Sequence, residues 1–141
     1  MSAALGGATG ATFTWLGMVL AISFLETPLK FRAPDVTIAI GLGIGRLVFR
    51  ALNTAELVLA VVLAVVTALG NPPGRVVAAV ACVIVVLAVQ LGVVRPRLNR
   101  RSERVLSGVR QPRSRGHHAY VVLEVAKVVA LTTTGVLLLA G

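Results

Sequence analysis

Four apolar segments of about 20 residues each dominate the sequence and restrict the folds open to it. They run approximately over residues 9–29, 51–70, 75–94 and 118–140. A hydrocarbon core of about 30 Å needs roughly 20 residues of helix to cross it, and helices satisfy their backbone polar groups within the segment. With 57% apolar residues and a mean hydropathy of +0.92, residues 1–141 are predicted to form a single transmembrane domain, an all-α integral membrane four-helix bundle.

The second apolar region is too long for one straight span. Residues 35–70 would extend about 54 Å as a continuous helix, and glycines and two arginines interrupt the first half. We therefore predict an extra interfacial or tilted helix at about 35–50, N-capped by Asp35, ahead of the second span. The GxxxG spacing of Gly41 and Gly45 indicates either close approach of a neighbouring helix or a flexible start to the span.

Basic residues are concentrated at one end of the predicted bundle. The chain has 14 Lys and Arg against 5 Asp and Glu, and eight arginines fall in the loop 95–117. The positive-inside rule places this loop in the cytoplasm and both termini outside. We expect the arginines to face the anionic headgroups of the lipid bilayer, and we exclude nucleic acid as a partner. The first apolar segment lacks a basic start and a cleavage site, so we interpret it as a retained span.

Ionisable and polar side chains fall within all four spans, at one predicted depth in the cytoplasmic half. Spans one to three carry Glu26, Glu56 and Gln90, and span four carries Glu124 and Lys127. An ionisable group in the membrane costs on the order of 2.5–3.5 kcal/mol, so these groups should face the bundle and pair. Helical phase adds further candidates for this ionisable pocket, which share the polar stripes of their helices: Arg46, Arg50, Asn53, His117 and Tyr120.

Two interpretations of the pocket remain open from the residues alone. In the structural one, three carboxylates and three cations clip the helices together, with Glu56 paired to Arg46 or Arg50 and Glu124 paired to Lys127. In the functional one, Arg46 and Arg50 clamp a small membrane-soluble or anionic ligand. Alternatively, Glu56 and Glu124 are proton-active groups that relay protons.

Two further classes of function use the same features. A membrane enzyme would employ Glu56 or Glu124 as a general acid on a lipid-like isoprenoid or quinone substrate, which predicts an elongated apolar cavity above the carboxylates. An accessory subunit of a larger complex would dock through the GxxxG face or the arginine loop, and a homo-oligomer is a further candidate assembly. The sequence identifies no cofactor. It also predicts no metal site: the adjacent His117 and His118 point about 100° apart on a helix, and Cys82 is the only cysteine.

Two stretches resemble a known family: FLETPLKFRAPDVTIAIGLGIGRLVFRALNTAE (24–56) and HHAYVVLEVAKVVAL (117–131). They are similar to a family of uncharacterised small bacterial four-span membrane proteins, and Glu26, Pro28, Lys30, Arg46, Asn53 and Glu56 carry most of the likeness. The resemblance implies a multi-pass protein of the bacterial cell (inner) membrane and no particular activity. More distantly, the layout resembles the copper-resistance-D-like superfamily of four-helix membrane proteins, some of which handle metal or haem. Fold-level likeness does not transfer function, and the spans hold too few histidines for two axial haem ligands.

Overall fold

The structure is a computed structural model that describes the backbone of residues 2–94 and 115–141. Side chains are described for residues 2–92 and 119–141. The described residues form helices joined by short connections, and none of them forms a strand. The predicted all-α fold is therefore confirmed. The predicted arginine-rich loop 95–117 lies outside the described residues, apart from the helical backbone of its last three positions.

Among the described residues, seven helical segments build four long helices. The first long helix comprises α1 (Ala3–Val19), a π-helical segment (Leu20–Glu26) and α2 (Thr27–Lys30), which follow one another without a break. The second is α3 (Ile38–Gly70). The third is α4 (Gly74–Val89) with a π-helical segment (Gln90–Val94), and the fourth is α5 (Arg115–Ala140). Four stretches of these helices are long and apolar enough to cross a membrane: Ala3–Lys30, Ile38–Gly70, Gly74–Gly92 and Ala119–Ala140. The four spans predicted from hydropathy are thus confirmed as helices, and the chain is a multi-pass membrane protein.

The second apolar region differs from its predicted division. A single helix of 33 residues, α3, runs from Ile38 to Gly70, so no separate interfacial helix occupies 35–50. Thr37 caps it, accepting a hydrogen bond at Oγ1 from the Ile40 backbone at 3.2 Å. The predicted cap, Asp35, lies before the helix in a left-handed conformation with φ of 66°. The glycines do not break α3, in keeping with the tolerance of glycine in membrane helices; side chains fill the space beside Gly41 and Gly45 but not beside Gly43.

Side chains that precede α3 pack against two glycines near its N-terminal end. The Phe31 ring packs directly against Gly41, and Lys30 Nζ lies 2.9 Å from the position that a Cβ atom would take at Gly45. Both glycines are buried. The groups that pack beside the GxxxG pair are thus side chains from just before α3, and close approach of a neighbouring helix stays a prediction.

The helices are arranged so that α1 packs between α3 and α5, while α4 packs mainly against α5. Residues 71–73 join α3 to α4 at one end of the bundle, where Leu5 packs against Gly70 and Arg75 lies near Gly141. We call this end, which also holds both chain termini, the turn end. The opposite end, where residues 31–37 connect α2 to α3, is the loop end.

The surface and the core have the polarity expected of a protein in lipid. Large apolar side chains cover the outside, and Leu47, Leu69 and Val122 are 72%, 76% and 66% exposed. In water such a surface would be an association site, whereas a bilayer solvates it. Buried apolar side chains fill the half of the bundle toward the turn end: Ala8, Ala60, Leu63, Val76, Val80, Val83, Leu131 and Leu138. The buried polar side chains Glu56, Gln90, Glu124 and Lys127 lie between this apolar half and the loop end.

Candidate functional site

Polar side chains from all four long helices meet in the middle of the bundle. We call them the central cluster; its members are Trp15, Glu56, Gln90, Glu124 and Lys127, with Ser23 at its margin. The first five side chains are buried to 2% exposure or less. Four of the five residues predicted to share one depth, Glu56, Gln90, Glu124 and Lys127, are thus brought together.

Lys127 is the centre of this cluster. Its Nζ lies 2.5 Å from Glu56 Oε2 and 2.6 Å from Glu124 Oε1. It also donates to Gln90 Oε1 at 2.8 Å. An ammonium group has three donors and no acceptor, so these three contacts use its full capacity. One cation therefore serves two carboxylates in the interior of the bundle.

The two carboxylates differ in how their remaining lone pairs are used. Glu56 Oε2 accepts a second hydrogen bond, from Trp15 Nε1 at 2.8 Å, whereas its Oε1 is buried and has no hydrogen-bond partner among the described residues. Glu124 is held at both oxygens, since Oε2 accepts from Ser23 Oγ at 2.8 Å and Oε1 from Gln90 Nε2 at 3.4 Å. Glu56 Oε1 is the open acceptor of the cluster.

Local helix geometry explains how the cluster assembles. Glu56 lies on the buried stripe of α3, whose members recur every three or four residues: Gly41, Gly45, Phe49, Leu52, Glu56, Ala60, Leu63 and Thr67. Glu124 and Lys127 are three residues apart on α5 and share a face. Ser23 and Gln90 each lie in a π-helical segment. π-helical turns are uncommon and occur often at functional sites, and here both adjoin the cluster.

The cluster carries an unequal number of charges. Two carboxylates share one ammonium group, which leaves one negative charge in excess when both acids are ionised. The predicted third carboxylate, Glu26, is not part of the cluster. It lies 3.8 Å from Lys30 at i, i+4, with 34% of its side chain exposed. The predicted balance of three carboxylates against three cations is therefore wrong for this site.

The counterion of Glu56 also differs from the predicted arginines. Arg46 is half-buried and Arg50 is exposed, and Glu56 pairs with Lys127. Arg50 precedes Glu56 by six residues, about 9 Å along the helix axis, whereas Lys127 lies level with Glu56 on another helix. The predicted pairing of Glu124 with Lys127 is confirmed at 2.6 Å.

The remaining predicted site residues lie toward the loop end. Tyr120 is buried and meets the Phe49 ring edge to face, with centroids 6.0 Å apart. Asn53 is half-buried, and its Oδ1 has no hydrogen-bond partner among the described residues. The side chain of His117 lies outside the described residues. Within the described part of the chain, no three His, Cys, Asp or Glu side chains are grouped as a metal site requires.

Two members of the cluster, Trp15 and Ser23, were not among the predicted site residues. Tryptophan in membrane proteins is usually found at the water interface, but Trp15 lies in the middle of the first long helix and is fully buried. That mid-span position is the signal in the sequence that points to a polar partner for its indole N–H. For Ser23 the sequence holds no comparable signal, because its contact depends on the π-helical segment.

Comparison of this chain with protein-family models, with curated proteins and with solved structures finds no match. The resemblance to small bacterial four-span proteins and to the copper-resistance-D-like superfamily stays a prediction. Function is therefore inferred from the chemistry of the central cluster.

Proposed function

We propose that this protein takes up a proton at the central cluster and relays it across the membrane. The observation that carries the proposal is the single Lys127 ammonium group shared by two fully buried carboxylates, Glu56 and Glu124, at 2.5 and 2.6 Å. Ionisable groups within membrane spans are costly and mark ion pathways and proton relays. A neutral ion pair holds one carboxylate for one cation, whereas this cluster holds two carboxylates for one cation.

The excess charge defines what the cluster would bind. With both acids ionised the cluster has a net charge of −1, and one added proton makes it neutral. Glu56 Oε1 is the acceptor that no described hydrogen bond occupies, so it is the atom on which we place that proton. A proton needs no cavity, which suits a site whose members are almost completely buried.

Lys127 links the two acids as a relay. The ammonium group gives a proton to Glu124 Oε1, and the amine that remains takes the proton that Glu56 has bound, so that the ammonium is restored and one proton has moved from Glu56 to Glu124. Both transfers run along contacts within hydrogen-bond distance. Gln90 Oε1 and Trp15 Nε1 hold Lys127 and Glu56 in place during the exchange.

The orientation of the relay is part of the proposal. We place the protein in a bacterial inner membrane with the loop end in the cytoplasm, because eight arginines lie in residues 95–117. Both termini and the turn at 71–73 then lie outside. Ligand binding through Arg46 and Arg50, lipid-directed catalysis and an accessory role stay predictions without a supporting contact among the described residues.

Proton flux in liposomes tests the relay. The purified protein is reconstituted into vesicles that contain a pH-sensitive dye, and a potassium gradient with valinomycin supplies the driving force. We expect inward flux with the wild type, and flux at the protein-free level with Glu56→Gln or Glu124→Gln. Glu26→Gln is the matched control, since it removes a carboxylate of the same bundle that lies outside the cluster, and it should conduct like the wild type.

A structural role predicts a different pattern. If Glu56→Gln and Glu124→Gln conduct as the wild type does, or if the wild type conducts no better than empty vesicles, the relay is refuted. Size-exclusion profiles and circular dichroism of each variant show whether it is folded. A double variant, Glu56→Gln with Lys127→Met, removes one charge of each sign, and it should also lack flux even where it folds as well as the wild type.

A further inference from the structure

We infer that three buried side chains, Phe49, Leu52 and Tyr120, form the gate that controls the exchange of protons between the loop end and the central cluster. We call these residues the loop-side layer. Their side chains are 8%, 1% and 7% exposed and pack together as one cluster. This inference rests on the proposed relay and names the residues that control access to it.

Helix register places the loop-side layer next to the central cluster. Phe49 lies seven residues before Glu56 on α3, and Tyr120 lies seven residues before Lys127 on α5. The contact of Phe49 with Tyr120 and the contact of Glu56 with Lys127 therefore join the same two helices two turns apart. Seven residues correspond to about 10 Å of helix axis, and Leu52 lies within that interval. The layer is thus on the loop-end side of the cluster.

The loop-side layer joins three of the four long helices. The Phe49 and Tyr120 rings meet edge to face, with centroids 6.0 Å apart and planes at 87°, a preferred arrangement of aromatic pairs. Met18 and Ile22 from the first long helix and Leu123 from α5 pack against the layer. Among all these side chains only the Tyr120 hydroxyl and, weakly, the Met18 sulfur can form hydrogen bonds. The packed layer therefore offers a proton little to bind.

Charged side chains lie directly beyond the layer at the loop end. Lys30 Nζ lies over the Phe49 ring, 5.8 Å from its centroid, and 3.8 Å from Glu26 Oε2. Phe49 thus has a charged pair on one side and the central cluster two turns away on the other. On this side of the bundle, a single layer of packed side chains separates the two charged regions.

The turn-end side of the cluster is packed more deeply. On α5, buried apolar residues begin at Leu131, four residues past Lys127, and continue to Leu138, eleven residues past it. These seven residues of helix span about 10 Å, and Leu63 and Val80 from the neighbouring helices belong to the same apolar cluster. Fewer side chains have to move to open the cluster toward the loop end than toward the turn end.

A single apolar layer between two charged regions is suited to act as a gate. Hydrophobic constrictions in channels close a pathway by excluding water from it. While the Phe49 and Tyr120 rings are in contact, the layer separates the carboxylates of the cluster from the loop end. When the rings move apart, water from the loop end reaches Glu56 and a proton binds. Hydrated cations stay excluded, because apolar walls offer no ligands to replace the hydration shell.

Quenching of Trp15 fluorescence by acrylamide tests the gate. The chain has a single tryptophan, and its indole N–H donates to Glu56 in the central cluster. Quenching by a small water-soluble molecule therefore reports access to the cluster. In detergent-solubilised protein we expect Phe49→Ala and Leu52→Ala to raise the quenching constant above that of the wild type, because each removes part of the layer. In the liposome assay both variants should conduct protons at least as fast as the wild type.

Two control variants keep the layer intact. Leu63→Ala is matched to Leu52→Ala, since Leu63 is 0% exposed and lies on the same helix, seven residues past Glu56 toward the turn end. It removes the same side-chain atoms behind the deeper packing and should leave the quenching constant unchanged. Tyr120→Phe keeps the ring of the layer and should also be quenched like the wild type. Circular dichroism shows that each variant is folded.

The outcomes separate the gate from the relay. If Glu56→Gln abolishes flux while folded Phe49→Ala and Leu52→Ala are quenched like the wild type, the gate is overturned and the relay stands. An equal rise of quenching in Leu63→Ala also overturns the gate, as does a loss of flux in the folded layer variants. Wild-type flux in Glu56→Gln overturns both proposals. Should Phe49→Ala fail to fold, the smaller change Leu52→Ala decides in its place.

Discussion

Replacing Lys127 by methionine should destabilise the bundle much more than replacing either of its carboxylate partners by glutamine. The central cluster has one cation and two acids. Lys127→Met changes the net charge of the ionised cluster from −1 to −2 and leaves both acids without a counterion. Glu56→Gln or Glu124→Gln instead brings the net charge to zero. The two kinds of variant therefore change buried charge in opposite directions.

The magnitude follows from the contact distances. Two unit charges 2.5 Å apart attract by about 7 kcal/mol at an effective dielectric constant of about 20. Desolvation of each ion offsets several kcal/mol of this attraction, and removal of one partner of a buried pair typically costs about 3–5 kcal/mol. We expect a loss of that size for Lys127→Met. Glu56→Gln keeps an acceptor oxygen for Lys127 and Trp15, so its expected loss is about 1 kcal/mol, the value of a weakened hydrogen bond.

Unfolding in mixed detergent measures these losses directly. The chain has a single tryptophan, and Trp15 donates its indole N–H to Glu56, so its fluorescence reports on the cluster as the denaturing detergent is increased. Helicity followed by circular dichroism supplies an independent transition. The double variant Glu56→Gln with Lys127→Met should be more stable than Lys127→Met alone, because it has one less buried negative charge.

Equal losses would refute the reasoning. If Lys127→Met and Glu56→Gln lower the free energy of unfolding by the same amount, excess negative charge does not govern the stability of the cluster. The same conclusion follows if the double variant is no more stable than Lys127→Met alone. Glu26→Gln is the control in the same unfolding assay, since its carboxylate lies 3.8 Å from Lys30 in a half-buried pair outside the cluster, and we expect it to cost less than Lys127→Met.

Two further predictions concern single contacts. Trp15→Phe removes the hydrogen bond to Glu56 Oε2 and should lower the free energy of unfolding by about 1.5–3 kcal/mol, the range for hydrogen bonds to a charged group. Detergent unfolding followed by circular dichroism measures this loss, and an unfolding transition unchanged from the wild type would contradict the contact. Gly41→Ala adds a Cβ atom that overlaps the Phe31 ring and should lower the thermal transition. Gly43→Ala meets no atom within 4 Å and should raise the free energy of unfolding by up to about 1 kcal/mol. A greater loss in Gly43→Ala than in Gly41→Ala would contradict the packing of Phe31.

Hydropathy and helical periodicity were sufficient to predict the four membrane-length helices and that polar residues of several helices would meet inside the bundle. Segments of about 20 apolar residues have one stable arrangement in lipid, which is a helix. The pair Glu124 and Lys127 was predictable for the same reason, because residues three apart on a helix share a face whatever the neighbouring helices do. The continuity of α3 was not predicted, since the glycines and arginines in its first half favoured a division, whereas a single helix runs from Ile38 to Gly70.

Partners across helices were decided only by the tertiary structure. Periodicity states which face of α3 carries Glu56, but not which helix lies opposite or at what height, and so the arginines of the same helix were the expected counterions. Packing brought Lys127 of α5 into contact with Glu56, and Ser23 and Gln90, which each lie in a π-helical segment, donate hydrogen bonds to Glu124. The sequence by itself determined that the interior of the bundle would hold buried charges. The axial register of helices, set by side-chain packing between segments distant in the chain, decided which charges meet.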